Sequence, residues 1–212
     1  MSYKPFMTLD RQRFGQPTSA VRAELANVAG DYTYLTRGYY ASLDSELAGK
    51  VILPSTAEAL DAYVVAIAME KAHLAGIPVP DYEVITDRFP PAPMMAYPIN
   101  PFSLRGELLL DAAAIESRRK GLTYTGKYAV LVQRLPEDHR VDVLRLVLGT
   151  TSVPEYLAFG AKIFEVFRLP LMRVRVIVTP QEYQLSAIEP LPFKELDDAE
   201  RAVLEGMGTW RD

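Results

Sequence analysis

Four segments in the second half of the chain alternate hydrophobic and polar residues with a period of two, as strands with one buried face do. They are Lys127–Arg134, Val141–Leu148, Leu171–Val178 and Tyr183–Ile188. Polar turn residues at 135–140 and 179–182 join them in pairs, which predicts two hairpins. In the third segment Met172, Val174, Val176 and Val178 share the face that we expect to be buried.

Two helices are predicted between and after these hairpins. Pro154 opens a segment that reaches Phe167 with aromatic residues along one side, and Asp197 or Asp198 caps a last helix that runs to Met207. The order β-β-α-β-β-α predicts a four-stranded antiparallel sheet with helices on one face.

In the first third of the chain, strand patterns and helix patterns alternate. Residues 31–36 alternate and predict a strand or an extended arm, and residues 38–48 carry a helical stripe. Residues 51–53 are an apolar run, and Thr56 caps a long helix to Ala75. This pattern predicts a strand–helix–strand–helix unit, and Pro17 to Asn27 predicts a short helix before it.

Seven of the sixteen prolines lie between Ile77 and Pro101. Proline removes a backbone donor, so we expect an extended loop there with one edge strand at Tyr82–Ile85, followed by a helix from Glu107 to Lys120. The prediction is an α+β fold and one domain, 1–212, in three subregions: an α/β-like unit (1–76), a Pro-rich connection (77–106) and an α+β sheet unit (107–212).

Composition narrows the function classes. The chain has 212 residues, a net charge of −4 and no cysteine. An acidic balance argues against a nucleic-acid partner, and the absence of cysteine excludes thiolate metal sites and cysteine nucleophiles. The first ten residues lack a signal-peptide core, and no apolar run approaches the roughly 20 residues of a membrane span. We expect a cytoplasmic protein with no membrane partner.

Catalytic motifs are missing from the sequence. Its two histidines, His73 and His139, have no ligand at metal-binding spacing, and no glycine-rich phosphate loop or Gly-x-Ser-x-Gly turn occurs. The sequence therefore predicts no catalytic residue, no metal site and no cofactor.

Two groups of residues remain as binding candidates. Arg173 and Arg175 share one strand face and could grip a carboxylate or another anion, although a solvated sheet face would look the same. Arg37 lies among Tyr32, Tyr34, Tyr39 and Tyr40. Residues 39 and 40 are about 100° apart on a helix, so one ring should face outward or meet another chain unless a wide apolar face buries both.

Three blocks resemble the RimK-like ATP-grasp N-terminal domain family. They are the Tyr-rich lead and Gly-Tyr-Tyr-Ala-Ser-Leu helix start that end in Val-Ile-Leu-Pro-Ser (30–55), the segment from Leu148 to Val176 with its Phe-rich helix, and Ile188–Met207 with its acidic helix. The resemblance implies an α+β module of unestablished role, associated with ATP-grasp ligases that form amide or peptide bonds. It carries over no catalytic residue.

The chain departs from that family in its Pro-rich middle and in ending at Asp212, where we expect the ligase module to begin. A separate similarity links Glu70–Gly106, with Ala-Gly-Ile-Pro-Val-Pro, to the entry of an ATP-grasp core. There Tyr97 stands where such cores place a lysine on the nucleotide phosphates, so the segment is a coincidence or a degenerate remnant.

Three hypotheses follow. The first is a non-catalytic module that binds an ATP-grasp ligase or its peptide substrate through Arg37, Tyr39, Tyr40 and the arginine face. The second is a small-molecule enzyme or sensor whose pocket lies under the Pro-rich loop, with the candidate residues Arg105, Arg173, Arg175 and Glu189. The third is a structural homo-oligomer, of which a homodimer is the simplest form. The sequence alone leaves ligand, partner and stoichiometry open.

Overall fold

The computed structural model of the protein describes residues 6–10, 25–100 and 104–210. The helices it describes are α1 (Arg37–Leu47), α2 (Thr56–Tyr63), α3 (Val65–Leu74), α4 (Ala112–Leu122), α5 (Leu157–Phe167) and α6 (Asp198–Met207). The described strands are β1 (Phe6–Leu9), β2 (Leu25–Asn27), β3 (Ile52–Leu53), β4 (Tyr82–Ile85), β5 (Met94–Pro98), β6 (Glu107–Leu109), β7 (Val130–Arg134), β8 (Arg140–Val147), β9 (Leu171–Val178), β10 (Tyr183–Pro190) and β11 (Gly208–Trp210). Short 3-10 helices lie at Pro154–Tyr156 and Phe193–Glu195.

The chain divides into two compact units. The first comprises Met1–Ala62, Leu144–Arg173 and Pro190–Asp212, and the second comprises Tyr63–Val143 and Val174–Glu189. Each unit is built from separated segments of the sequence, whereas the predicted subregions were contiguous. The described strands are shared among separate sheets and mixed with helices, which confirms the α+β class.

The first unit contains a sheet of strand order β11-β1-β2-β3. Strand β1 pairs antiparallel with both β11 and β2, and β2 pairs parallel with β3 across the α1 connection. The helix α1 was predicted correctly, as was the strand at 52–53. Residues 25–27, where a helix was expected, form β2, and the rest of that predicted helix lies outside the described residues.

The predicted strand at 31–36 is wrong. The carboxylate of Asp31 accepts hydrogen bonds from the backbone N–H of Thr33 and from its hydroxyl, and the Thr36 N–H donates to the Thr33 carbonyl. Leu35 has a φ of 66°. These local bonds make a turn, which competes with strand pairing. The strand that precedes α1 is therefore β2.

The second unit contains a sheet of strand order β4-β7-β5-β6. Strand β4 covers the predicted residues and lies at the sheet edge, as expected. Strand β5 was missed, because a loop was expected around the prolines, yet it is a central strand with all five residues buried. Residues 107–109 form β6, so the helix predicted from Glu107 begins only at Ala112 as α4.

The predicted hairpin between 127–134 and 141–148 is wrong. Strand β7 pairs with β4 on one side and β5 on the other, so it has no free edge for β8. Strand β8 instead joins a three-stranded sheet of order β10-β9-β8. The predicted four-stranded C-terminal sheet is thus three-stranded. Its fourth strand pairs elsewhere, although the strand and helix positions from Pro154 onward were predicted within a few residues.

Candidate functional site

A buried polar cluster lies in the second unit, where the sequence pattern predicts an apolar interior. Strand alternation creates it. The β5 residues Met94 and Ala96 point to one face, where they pack with α4 residues, and Tyr97 points to the other. On β7, Gln133 shares the face of Tyr97, and β10 contributes Ser186. All three side chains are at most 1% exposed.

The cluster is closely hydrogen-bonded. The Ser186 hydroxyl donates to Gln133 Oε1 at 2.6 Å, and Gln133 Nε2 donates to the Ser186 carbonyl at 2.7 Å. The Tyr97 hydroxyl lies 2.7 Å from Ser186 Oγ. Gln133 Nε2 also lies 3.4 Å from the sulfur of Met69 on α3. A buried network of this kind is stable because its members satisfy one another.

Tyr97 is chemically neutral in this setting. Burial raises its pKa to about 12, against the lesser effect of the Ser186 hydrogen bond, which lowers it. The ring also blocks its surroundings: a Cβ added at Gly106 would overlap three ring carbons of Tyr97. The phenol therefore presents no positive charge where the ATP-grasp similarity expects a lysine.

The predicted arginine face is present on β9, and both guanidiniums bind carboxylates of their own chain. Arg175 donates to Glu189 Oε1 at 2.7 Å, which joins two of the predicted site residues. Arg173 donates to Glu195 Oε2 and to the Pro190 carbonyl, each at 2.8 Å. Within the described residues the Nε of Arg175 is buried without a hydrogen-bond partner. Anion binding by this face stays a prediction.

The tyrosine-rich segment separates into a core residue and a surface group. Tyr32 is 1% exposed, and its hydroxyl donates to the Asn27 carbonyl at 2.7 Å. Tyr34 and Tyr40 are 47% and 46% exposed, and both contact the half-buried Tyr39 edge-on, with ring centroids 5.4 and 6.2 Å away. The geometry places the Tyr40 ring outward, so no apolar face buries both rings of the pair at 39 and 40.

We call Tyr34, Arg37, Tyr39 and Tyr40 the tyrosine surface. Local chemistry fixes it at the start of α1. Thr36 caps the helix by accepting from the Tyr39 N–H, and buried Asn27 donates to the Gly38 carbonyl at 2.7 Å and to Ser42 Oγ at 3.0 Å. Arg37 itself is exposed. The surface therefore presents aromatic rings and one exposed cation at the start of α1.

The remaining predicted residue, Arg105, is exposed in the second unit just before β6. The structure thus joins Tyr39 with Tyr40 and Arg175 with Glu189, while Arg173 has different partners. Sequence reasoning missed Gln133 and Ser186. Each is a polar residue within a strand, and the alternation pattern does not distinguish a buried polar residue from an exposed one.

A concave pocket in the second unit was also missed. It has a volume of about 320 Å³ and is lined by residues of two segments, which include Thr86, Asp87, Arg119, Lys120, Thr125 and Gly126. None of the predicted site residues lines it. Among residues 6–10, 25–100 and 104–210, no three acidic or histidine side chains cluster as a metal ion would need.

One protein-family model matches most of the C-terminal half of the chain. Residues 107–207 match the model of the RimK-like ATPgrasp N-terminal domain, which confirms the resemblance expected from sequence. Two of the three blocks that carried the resemblance lie inside the matched residues. The block at 30–55 lies outside them.

Solved ATP-grasp structures share the fold over most of the chain. A RimK domain ATP-grasp protein from Sphaerobacter thermophilus DSM 20745 is 19% identical, with a TM-score of 0.58 over 79% of this chain and 74% of that one. D-alanine-D-alanine ligase from Helicobacter pylori is 14% identical, with a TM-score of 0.56 over 78% and 66%. The ATP-grasp ligase PsnB, complexed with precursor peptide PsnA2 and AMPPNP, is 14% identical, with a TM-score of 0.53 over 80% and 67%.

These identities show a common fold and nothing more. The structural likeness nevertheless extends well beyond the 107–207 family match, since it covers about four fifths of the chain. No curated protein matches the sequence. In the described part of the chain, none of the helices is both long enough and apolar enough to cross a bilayer.

Proposed function

We propose that this protein is a non-catalytic module, built on the fold of ATP-grasp ligases, that binds an amide-forming ATP-grasp ligase or the peptide substrate of that ligase. The fold likeness and the family match supply the ATP-grasp context. The environment of Tyr97 is our argument that the module is non-catalytic, and the tyrosine surface is the surface that we propose contacts the partner.

The observation that carries the proposal is the buried Tyr97 hydroxyl. A phosphate-binding lysine brings a cation to an open site, whereas Tyr97 is 1% exposed and its hydroxyl is already hydrogen-bonded to Ser186. A neutral phenol sealed in a side-chain network cannot neutralise phosphate charge. We infer that Glu70–Gly106 is a degenerate remnant of an ATP-grasp core.

The ion pair on the arginine face favours this reading over a small-molecule site. The Glu189 carboxylate is paired with Arg175 at 2.7 Å, and both side chains are 20% exposed. A ligand that used either side chain would have to displace this internal contact.

The tyrosine surface is the contact that we assign to the partner. Tyrosine and arginine dominate interface hot spots because each combines a large contact area with a polar tip. Two half-exposed rings, a third ring between them and an exposed arginine provide that combination within seven residues.

Replacing Tyr40 with Ala tests the contact. A tagged full-length chain is used to recover partners from the native host, and recovered proteins and peptides are quantified by mass spectrometry. We expect the wild-type chain to enrich an ATP-grasp ligase or its peptide substrate, and the Tyr40→Ala chain to lose at least ten-fold of that enrichment. Because the ring is 46% exposed, the unfolding free energy should fall by well under the roughly 3–5 kcal/mol of a core aromatic.

Tyr124→Ala is the matched control, since Tyr124 is 56% exposed and lies in the other unit. It should keep the enrichment. Equal losses in both variants, or recovery of no ligase and no ligase substrate by the wild-type chain, would refute the proposed contact. Recovery of the chain's own untagged copy alone would favour the homo-oligomer.

A further inference from the structure

The pocket in the second unit has the size and charge of a site for a small anion. Its volume of about 320 Å³ falls at the lower end of the range for small-molecule sites. Arg119 and Lys120, in the last turn of α4, line it together with hydroxyl-bearing Thr86 and Thr125. A volume this small fits a compact ligand rather than a protein segment.

Positive charge is concentrated here in an otherwise acidic protein. Residues 118–127 contain four cations and no acidic residue, while the whole chain has a net charge of −4. Part of this charge complements the carboxyl end of α4, as cations in a last helical turn do. Stabilising a helix end does not require a pocket, and it does not explain the conformation of the loop that follows α4.

The loop after α4 is held in an uncommon conformation. Tyr124, Thr125 and Gly126 have φ angles of 54°, 60° and 82°, a left-handed run in which two of the three residues are not glycine. Buried Thr123 fixes the run: its Oγ1 donates to the Arg119 carbonyl at 2.8 Å and accepts from the Gly126 N–H at 3.0 Å. The loop thus closes one side of the pocket beside both cations.

The two cations are available to a ligand. Among the described residues, the Arg119 guanidinium donates one hydrogen bond, to Glu116 at 3.1 Å, in a pair that is 42% and 69% exposed and therefore weak. Lys120 is exposed and has no ion pair within the described residues. A guanidinium fork and an ammonium on adjacent positions of one helix end are strong donors for a phosphate group, whose oxygens accept from several directions.

Asp87 is the one acidic residue of the lining, and its carboxylate lies 3.5 Å from the Thr86 hydroxyl. Its negative charge repels a bound anion. Removing that charge should therefore tighten anion binding, whereas it would weaken the binding of a cation. We propose that the Arg119–Lys120 pocket binds a small phosphate-bearing molecule. This site lies apart from the tyrosine surface along the chain and does not depend on the proposed function.

Nuclear magnetic resonance titration of the full-length chain with pyrophosphate tests the assignment. We expect saturable shifts of the Thr125 and Gly126 amide resonances with a dissociation constant between about 0.1 and 1 mM, the range of a partly open site with two cationic donors. Lys120→Ala should weaken binding at least five-fold. Asp87→Asn should tighten it two- to five-fold, because it removes the opposing charge and keeps the side-chain size.

Arg118→Ala is the control, since Arg118 lies on the same helix but pairs with Glu107 at 3.2 Å outside the pocket. It should change the affinity less than two-fold. If Arg118→Ala and Lys120→Ala weaken pyrophosphate binding equally, the anion is attracted by the general positive charge of the helix, and the proposed site is wrong. Failure to saturate below 10 mM, or tighter binding of malonate than of pyrophosphate, would overturn the phosphate assignment.

Discussion

The buried phenol of Tyr97 makes the stability of the protein depend on pH. Its pKa is raised by burial from 10.0 in the free side chain to about 12. Above pH 10 the phenol of the unfolded chain therefore loses a proton that the folded chain keeps. This deprotonation lowers the free energy of the unfolded state relative to the folded state. Stability contributed by this group is fully present below pH 10 and falls between pH 10 and 12, by up to about 1.4 kcal/mol per pH unit.

Tyr97→Phe isolates this effect. At pH 8 the variant should be less stable by about 1 kcal/mol, because it loses the hydrogen bond with Ser186. By pH 11.5 the wild-type chain should have lost roughly 1–2 kcal/mol of stability that the variant keeps, because the variant has no phenol to titrate, so the difference between the two chains should vanish or reverse in sign. Urea unfolding followed by circular dichroism measures both values. A difference that stays constant with pH would mean that the hydroxyl is not buried as described.

The close approach of Gly106 to Tyr97 gives a second prediction at the residue scale. A Cβ at 106 would overlap the ring, which burial and the Ser186 bond prevent from moving. Gly106→Ala should cost about 1–3 kcal/mol of unfolding free energy. Gly121→Ala is the control: a Cβ at 121, near the end of α4, meets nothing within 4 Å and should stabilise by about 0.5–1 kcal/mol. Equal effects of the two substitutions would contradict the packing.

At the scale of elements, one ion pair fastens α6 within the first unit. Arg145 on β8 donates through Nε and Nη2 to the two carboxylate oxygens of Glu200, at 2.6 and 2.7 Å, and also to the Glu195 carbonyl. Glu200 completes the capping box of α6 by accepting from the Asp197 N–H. The pKa of Arg145 is raised by its hydrogen bond to Glu200. One carboxylate thus serves both a helix end and a strand.

Arg145→Ala should therefore lower the unfolding free energy by roughly 1–3 kcal/mol. Trp210, the single tryptophan, reports on this region because it follows α6 in β11 and stacks edge-on with Phe193, with ring centroids 5.5 Å apart. Arg118→Ala, which breaks an ion pair that is 63% and 36% exposed, should cost less than about 1 kcal/mol. If both substitutions shift the fluorescence transition equally, the Glu200 contact is not a structural anchor.

Elements with a local signal were predictable from sequence, and those decided by pairing were not. Asp197 caps α6 where expected, and alternation located β9 because its faces differ in burial. Strand β5 escaped because a strand buried on both faces does not alternate and because flanking prolines imitate a loop. The β7–β8 hairpin failed because partner choice depends on strands 30–50 residues away in the sequence.

The candidate site divides in the same way. Arg37, Tyr39, Tyr40, Arg175 and Glu189 were chosen from sequence as binding candidates, since charged and aromatic residues are visible in a pattern, and their binding role stays a prediction. Their pairing could not be predicted, because Arg175–Glu189 and Arg173–Glu195 depend on how β9 meets residues downstream. The Tyr97–Ser186 hydrogen bond joins residues 89 positions apart and had no local signal at all.

At the scale of the whole molecule, the chain shares its fold with solved ATP-grasp structures. The likeness covers 78–80% of the chain in the three structures compared, at 14–19% identity. Fold alone does not carry activity, because function depends on the side chains of the site. In our proposal the buried, neutral Tyr97 is what separates this chain from a phosphate-binding ATP-grasp core.

Isothermal titration calorimetry with ATP and magnesium tests this central claim most directly. The titration is performed on the wild-type chain and on Lys120→Ala, in which the proposed phosphate pocket is weakened. We predict no magnesium-dependent binding at micromolar ATP in either chain, because no cation replaces the phosphate lysine at Tyr97. A micromolar, magnesium-dependent affinity that persists in Lys120→Ala would contradict the account and identify a working ATP-grasp site.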